Sequence, residues 1–230
     1  MNPVIILVAP QMGENIGATA RAMKNFGLSE LRIVTPRDGW PSEQARSNAV
    51  GAVNIIDNAK IYDSLESSIQ DLEYLYATTC IKRVMNKDYV FSPNLSLDYP
   101  HLQKVGIMFG RENNGLSNEE ISFANKIVTI NTTEFSSLNI AQAVIIICYE
   151  LFRNSTSRED IRNIQKLATK QELGYFLENL FTKLDKKGFF KASEQKLNMQ
   201  QNITNIFMRI NNLSSPEVQT LQGIIKSLDR

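Results

Sequence analysis

The sequence is poor in the residues from which many hydrolytic and metal-dependent sites are built. Its 230 residues include one histidine, His101, and two cysteines, Cys80 and Cys148. A Ser-His-Asp triad or a multi-histidine metal centre would have to use His101, and Tyr99-Pro100-His101-Leu102 reads as a solvated loop. The cysteines lie far apart without Cys-x-x-Cys spacing, so neither zinc nor a disulfide framework is expected, and a reducing cytoplasm is. No apolar run reaches the roughly 18 residues of a membrane span. The longest, Ala143 through Tyr149, reads as a buried helix. No basic stretch precedes the first apolar run, so no signal peptide is expected. Gly-Lys-Ser/Thr and Gly-x-Gly-x-x-Gly are both absent, which disfavours ATP and NAD as cofactors.

Charge is also scarce in net terms, at +1, but it is unevenly divided. Residues 1–154 hold 13 basic and 16 acidic side chains, a net of −3; residues 155–230 hold 12 and 8, a net of +4. In the basic tail, Lys186-Lys187 stand beside Phe189-Phe190. Such a stretch is either a solvated helix end with two core aromatics or a patch for phosphates with rings that stack on bases.

Apolar runs and helical stretches alternate through the first two thirds of the chain, the pattern of a parallel α/β sheet. Strands are expected at 4–8, 31–34, 54–56, 72–78, 105–109 and 126–130, and helices at 15–26, 42–50, 64–71 and 138–152. The helix over 138–152 is apolar nearly all round and should be buried. Residues 82–103, broken by Pro93 and Pro100, read as a long loop. Gly27 stands where a helix C′ residue belongs, and Ser117-Asn118-Glu119-Glu120 forms a capping box. After a polar linker, in which Ser157 can cap the next helix, three helices are expected at about 158–184, 194–212 and 216–228, with Ser215 as an N-cap before Pro216. The division is thus 1–153 and 154–230.

Three segments offer polar side chains and small residues that a packed core does not want. In Asn15-Ile16-Gly17-Ala18-Thr19-Ala20-Arg21, a helix would put Gly17, Ala18 and Arg21 on one face. That face either admits a ligand or makes a tight helix–sheet contact with Arg21 in solvent. In Phe109-Gly110-Arg111-Glu112-Asn113-Asn114-Gly115-Leu116, a glycine follows a strand end, where α/β sheets bind ligands, and Arg111 and Glu112 add charge. An ordinary strand–turn–helix connection would look the same. Ser136-Ser137-Leu138-Asn139 supplies more polar groups than a helix cap requires. Thr78-Thr79-Cys80 ends another strand and is followed by Lys82 and Arg83.

The ordered set Asn15-x-Gly17-x-x-x-Arg21, Phe109-Gly110-x-Glu112-x-x-Gly115-Leu116 and Ser137-Leu138-Asn139-x-Ala141 resembles the three motifs of the SpoU branch of the SPOUT RNA methyltransferases. With its helical tail, the chain is similar to the TrmJ-type tRNA ribose 2′-O-methyltransferases of that branch. The likeness covers residues 1 to about 153 well, and the tail in size and helical character.

This resemblance implies a parallel sheet with helices on both faces and a C-terminal trefoil knot, followed by the helical extension. It implies S-adenosylmethionine as cofactor, held by Thr78, Thr79, Cys80, Gly110, Ile130, Ser136, Ser137 and Leu138. It implies methyl transfer to a ribose 2′-hydroxyl, with Asn15, Arg21, Glu112, Ser137 and Asn139 as catalytic residues. The substrate would be tRNA, in the anticodon loop at position 32, bound by Arg21, Arg83, Arg111, Lys186 and Lys187. A homodimer is implied, without membrane or DNA. The same chemistry on rRNA, or an RNA-binding module of the same fold without activity, is the alternative. A guanidinium stays protonated and has no acceptor, so Arg21 would stabilise a developing alkoxide or clamp a phosphate, with Glu112 orienting it or a facing arginine. Two departures bear on substrate choice: Phe135 stands where the family pattern has tyrosine, and Cys80-Ile81 replaces a small residue and an arginine, leaving Arg83 to supply that cation.

Overall fold

Val4–Val8 (β1) is apolar at every position, as a central parallel strand covered on both faces must be. Ile5 and Leu7 enter one core and Val4, Ile6 and Val8 the other. Around β1 lie β2 (Leu31–Val34), β3 (Lys60–Tyr62), β4 (Tyr74–Thr78), β5 (Tyr89–Phe91), β6 (Val105–Phe109) and β7 (Lys126–Thr129). All pair in parallel in the order β3-β2-β1-β6-β4-β7-β5. The computed structural model describes residues 2–81, 85–153, 167–190, 193–210 and 213–227.

Helices cover both faces. One core is closed by α1 (Gly13–Asn25), α2 (Glu43–Asn48), α3 (Val53–Asp57), α5 (Leu95–Asp98) and α7 (Ile140–Arg153). The other is closed by α4 (Leu65–Ile69) and α6 (Asn118–Ser122). Gly27, at φ +74°, ends α1 in a Schellman turn: Leu28 N–H reaches Met23 O (3.0 Å) and Gly27 N–H reaches Lys24 O (3.2 Å). Near the start of β2 the buried Arg32 takes a bidentate grip on Asp71 (2.6 and 2.9 Å) and also binds Glu30 (2.7 Å). Burial works against the Asp71 carboxylate, but Arg32 and Lys104 outweigh it and hold its pKa well below the usual range.

A third core joins α8 (Lys170–Lys186), α9 (Ser193–Met208) and α10 (Ser215–Ser227) around Phe176, Leu177, Met208 and Val218. This layer docks where α8 begins: Lys170 N–H donates to Leu72 O (2.7 Å) and Gln171 N–H to Gln70 O (3.1 Å).

Several expectations need correction. Residues 54–56 are helical, within α3; both Ile55 and Ile56 are buried in one core, and the strand follows at 60–62. Two adjacent isoleucines do not distinguish a strand from a buried helix. The stretch 82–103 is not one loop: Val90 alone points inward in the three-residue edge strand β5, and Leu95 anchors α5. Helix α7 is not buried all round, since Ile145, Tyr149 and Phe152 are exposed. Among the described tail residues the first helix, α8, starts at Lys170, where Thr169 caps it in a box with Glu172; the expected start near 158 lies outside the described residues. The cap of α10 is Ser214, one residue earlier than expected: Ser214 N–H donates to Glu217 Oε2 (2.7 Å) and Glu217 N–H to Ser214 Oγ (3.4 Å). Lys82, Arg83 and residues 154–166, with Ser157 and the linker, lie outside the described residues.

Candidate cofactor and catalytic site

The C-terminal ends of β4, β6 and β7 open onto a cavity of about 160 Å³. Its walls include Thr78, Thr79, Cys80, Gly110, Ile130, Ser136, Ser137 and Leu138, all eight residues expected to hold a cofactor. Ligands of open α/β sheets lie beyond the carboxyl ends of the strands, and this cavity does. The loop after β4 is fixed by Thr79 N–H to Val128 O (3.2 Å) and Thr129 Oγ1 to Thr79 O (3.2 Å). Thr78 Oγ1 is spent on Met108 O (2.9 Å).

The loop after β6 explains its glycines. Gly115 N–H returns to Arg111 O (2.9 Å), and Gly115 sits at φ +64°. This tight return brings backbone onto Gly110: a Cβ there would lie 2.2 Å from Gly115 C and 2.2 Å from Leu116 N. Gly110 is therefore required by its own loop as well as by the open cavity floor.

Glu112, Asn15 and Asn139 are joined by hydrogen bonds. Glu112 Oε2 accepts from Gln11 N–H (2.9 Å), and Oε1 accepts from Asn15 Nδ2 (2.8 Å). Asn15 Oδ1 accepts from Asn139 Nδ2 (2.8 Å), and Asn139 Oδ1 caps α7 by accepting from Ala141 N–H (2.9 Å). Asn15 thus meets segments 97 and 124 residues away in one polar chain. Asn139 does the capping that Ser136 or Ser137 was expected to share. That leaves both serine hydroxyls without a partner among the described residues, at the cavity wall. Two free hydroxyls, the apolar faces of Ile130, Leu138 and Ile140, and an open strand end suit a ligand with both a flat apolar part and polar groups, as S-adenosylmethionine has. Among the described residues no cluster of three His, Cys, Asp or Glu could hold a metal ion.

The cations are placed differently. Arg21 is exposed on α1 and makes no hydrogen bond or ion pair with the described residues. Glu112 makes no bond to Arg21; its two carboxylate oxygens accept from Gln11 N–H and Asn15 Nδ2 instead. The small face beside Arg21 is filled by a helix rather than the sheet: a Cβ on Gly17 would stand 2.4 Å from Ala45 O in α2. Arg111 grips Glu120 with both nitrogens (3.1 and 2.9 Å), within the α6 capping box. Lys186 and Lys187 are exposed at the end of α8, and neither they nor Phe135, 79% exposed, line the cavity.

Sequence reasoning missed the Pro10–Gln11 turn and Arg37. Ala9, at φ +46°, turns the chain after β1 and is followed by Gln11, whose N–H meets Glu112. Arg37 feels the Glu112 charge while pairing with Asp38 (2.7 Å). Neither carries a sequence signal. Asn113 and Asn114, which also line the cavity, lay inside the second segment and could have been named from it.

Comparison with known proteins points the same way. The model of the SpoU rRNA Methylase family matches residues 2–149. The tRNA (cytidine-2′-O-)-methyltransferase TrmJ of Methanocaldococcus jannaschii is 32% identical over 230 residues, covering 96% of this chain and 97% of that protein. The crystal structure of TrmJ from Z. mobilis ZM4 superposes with a TM-score of 0.91 at 35% identity, over the whole of both chains. The fold also recurs at 21% identity and a TM-score of 0.50 in the SpoU methyltransferase AviRb from Streptomyces viridochromogenes, solved with AdoMet; the match spans 65% of this chain and 58% of that one. With the family model spanning more than half of the sequence and a full-length relative above 30% identity, the chain belongs to the SpoU methylase family.

Proposed function

We propose that the chain transfers the methyl group of S-adenosylmethionine to a ribose 2′-hydroxyl of tRNA, in the anticodon loop at position 32, acting as a cytoplasmic homodimer. Residues 1–153 form the catalytic unit, with the trefoil knot that the family resemblance implies, and residues 154–230 the extension. The observation that carries this reading is the Glu112–Asn15–Asn139 chain beside the cavity. It fixes the loops of all three motifs relative to one another where a cofactor and a nucleotide would meet.

S-adenosylmethionine supplies an electrophilic methyl group on a sulfonium. The protein's part is to align the hydroxyl in line with it, and such positioning supplies much of the rate. Thr79, Cys80, Gly110, Ile130, Ser136, Ser137 and Leu138 hold the cofactor from the three loops. As the oxygen–methyl bond forms, the sulfur–methyl bond would break to leave the neutral thioether, and the 2′-hydroxyl proton would pass to solvent water. Arg21 cannot take that proton; it stabilises the developing oxyanion or clamps the neighbouring phosphate. Exposed Arg21 on an outer helix face fits a site completed by a second subunit. So does the exposed aromatic cluster in which Phe26 meets Tyr149 (5.9 Å between centroids) and Phe152 (5.7 Å). Lys186 and Lys187, with the half-exposed Phe189, offer the tail's contact to RNA. Single-stranded loops let a protein splay out a nucleotide, and the 2′-hydroxyl marks RNA rather than DNA.

The test is nucleoside mass spectrometry of tRNA and rRNA incubated with the protein and methyl-labelled S-adenosylmethionine, beside Arg21→Ala. A new 2′-O-methyl nucleoside at position 32 of tRNA, lost in the variant, is expected. Label in rRNA alone would reassign the substrate. No label and no cofactor binding would reduce the chain to an RNA-binding module.

A further inference from the structure

Residues 1–154 are acidic on balance, at −3, although the proposed substrate is a polyanion. The described cations of that region are nearly all matched. Eight pair with an aspartate or glutamate, Arg46 with Asp57 and Lys60 with Glu30 among them. Lys87 is buried, its amine on the carbonyls of Ser122 and Ala124. That leaves Arg21 and Lys24, both exposed and neither paired with a carboxylate among the described residues. Both stand on α1, three residues and so about 4.5 Å of helix axis apart, at neighbouring positions of its surface.

Lys24 is nevertheless held in place. Its Nζ donates to Gly51 O (2.6 Å) and to Asn54 Oδ1 (3.1 Å). Both acceptors are neutral, so the positive charge is not cancelled. An ammonium has three donors, and one is left for a further partner. Gly51 follows Val50, a β-branched residue held at φ +44° and 65% exposed. Such a residue rarely adopts that conformation, and strain of this kind gathers at ligand sites. Here the strained corner presents the Gly51 carbonyl to Lys24. The two bonds fix in advance a side chain that would otherwise lose rotamer freedom on meeting an anion. An ion pair within the protein would do the opposite, because the carboxylate would compete with any anion that arrives.

We propose that Lys24 binds a phosphate of the RNA substrate, next along the strand from the nucleotide that Arg21 serves, so that α1 carries two cations along one strand. This rests on the RNA reading above. A polyanion is drawn to the places where positive charge is uncompensated, and on the described surface of the catalytic unit those are Arg21 and Lys24. A phosphate offers only acceptor oxygens, which suit a free ammonium donor beside a guanidinium. Contacts in a row along a backbone fix register and direction without reading sequence. Lys24 is thus a positioning residue: it sets how the strand lies across the site and not which base is methylated.

The test is the salt dependence of binding to an unmodified tRNA transcript, for the full chain as wild type, Lys24→Gln, Lys24→Arg and Lys60→Gln. Lys60 is exposed on β3, and its partner Glu30 keeps Arg32, so Lys60→Gln removes the same charge without baring a carboxylate. Lys24→Gln is expected to weaken binding about three- to tenfold at moderate salt. It should also flatten log affinity against log salt by about 0.7–0.9, the share of one phosphate contact. Lys24→Arg should keep the wild-type slope, and Lys60→Gln should match wild type. In turnover, Lys24→Gln should raise KM for tRNA with kcat unchanged, while S-adenosylmethionine affinity and sedimentation stay at wild type. A wild-type salt slope in Lys24→Gln overturns the proposal, and so does a loss that Lys24→Arg does not restore. An equal fall in Lys60→Gln overturns it in favour of net charge. A changed sedimentation of Lys24→Gln overturns it in favour of a subunit contact. A wild-type chain that binds no tRNA refutes the RNA reading itself, and this inference with it.

Discussion

Glu112→Gln changes one atom in the chain that joins the three motifs, and the bonding pattern dictates the outcome. At one end Gln11 N–H must donate; at the other Ala141 N–H must donate. Neither can reverse. Between them Glu112 accepts twice, Asn15 donates to Glu112 and accepts from Asn139, and Asn139 accepts from Ala141. Glutamine has one acceptor oxygen, so its NH₂ must face either Gln11 N–H or Asn15 Nδ2. Turning the Asn15 amide relieves the second clash but sets Asn15 Nδ2 against Asn139 Nδ2. Turning Asn139 as well sets its NH₂ against Ala141 N–H. Every rearrangement leaves one donor facing a donor. Leaving a buried donor unpaired costs about 1–3 kcal/mol. Asn139 is solvent-exposed, so water can serve that end and the lower part of the range applies, about 1–2 kcal/mol. For a chain of this size that is a fall of about 2–8 °C in melting temperature. Differential scanning calorimetry reads it directly, and methyl transfer should fall further, because the loops of all three motifs shift together. A Glu112→Gln protein that melts and methylates as wild type would refute the fixed polarity of the chain.

Two other perturbations act elsewhere. Gly110→Ala forces a Cβ onto the backbone of Gly115 and Leu116, which cannot rotate away, so calorimetry should record a stability loss of about 1–3 kcal/mol together with loss of cofactor binding. Lys87 is pushed down to about 7, first by burial and then by Arg209. Between pH 7 and the ordinary lysine value of about 10.5, the unfolded chain therefore binds more protons there than the folded one, and stability rises with pH. The melting temperature of wild type should gain on that of Lys87→Met across this window, and a constant gap would contradict the assignment.

Much of the fold could be read from the sequence where one residue pattern admitted one structure. Val4–Val8 is too uniformly apolar for anything but a doubly covered strand, and Gly27 closes α1 as its position implied. The errors fall where a pattern was too short to decide. Ile55 and Ile56 serve a helix as well as a strand, and β5 has one inward residue, Val90. In α7 apolar content does not mean burial: Tyr149 and Phe152 are exposed and meet the half-buried Phe26.

The candidate site was legible as a set of positions that share one cavity and not as a mechanism of assembly. All eight positions expected to hold the cofactor line one cavity because strand ends of a parallel sheet gather there whatever lies between them. Roles within the site depend on which atom faces which, and spacing carries no such information. Thus Arg111, charged and next to Gly110, serves Glu120, whereas Asn15, an uncharged residue at the start of a helix, holds two other motifs in place. Arg21 shows the same limit from the other side. Its motif spacing singles it out, yet the described bonds of Glu112 go to Gln11 and Asn15 and not to Arg21. No described residue bonds to Arg21, and spacing alone does not say what does.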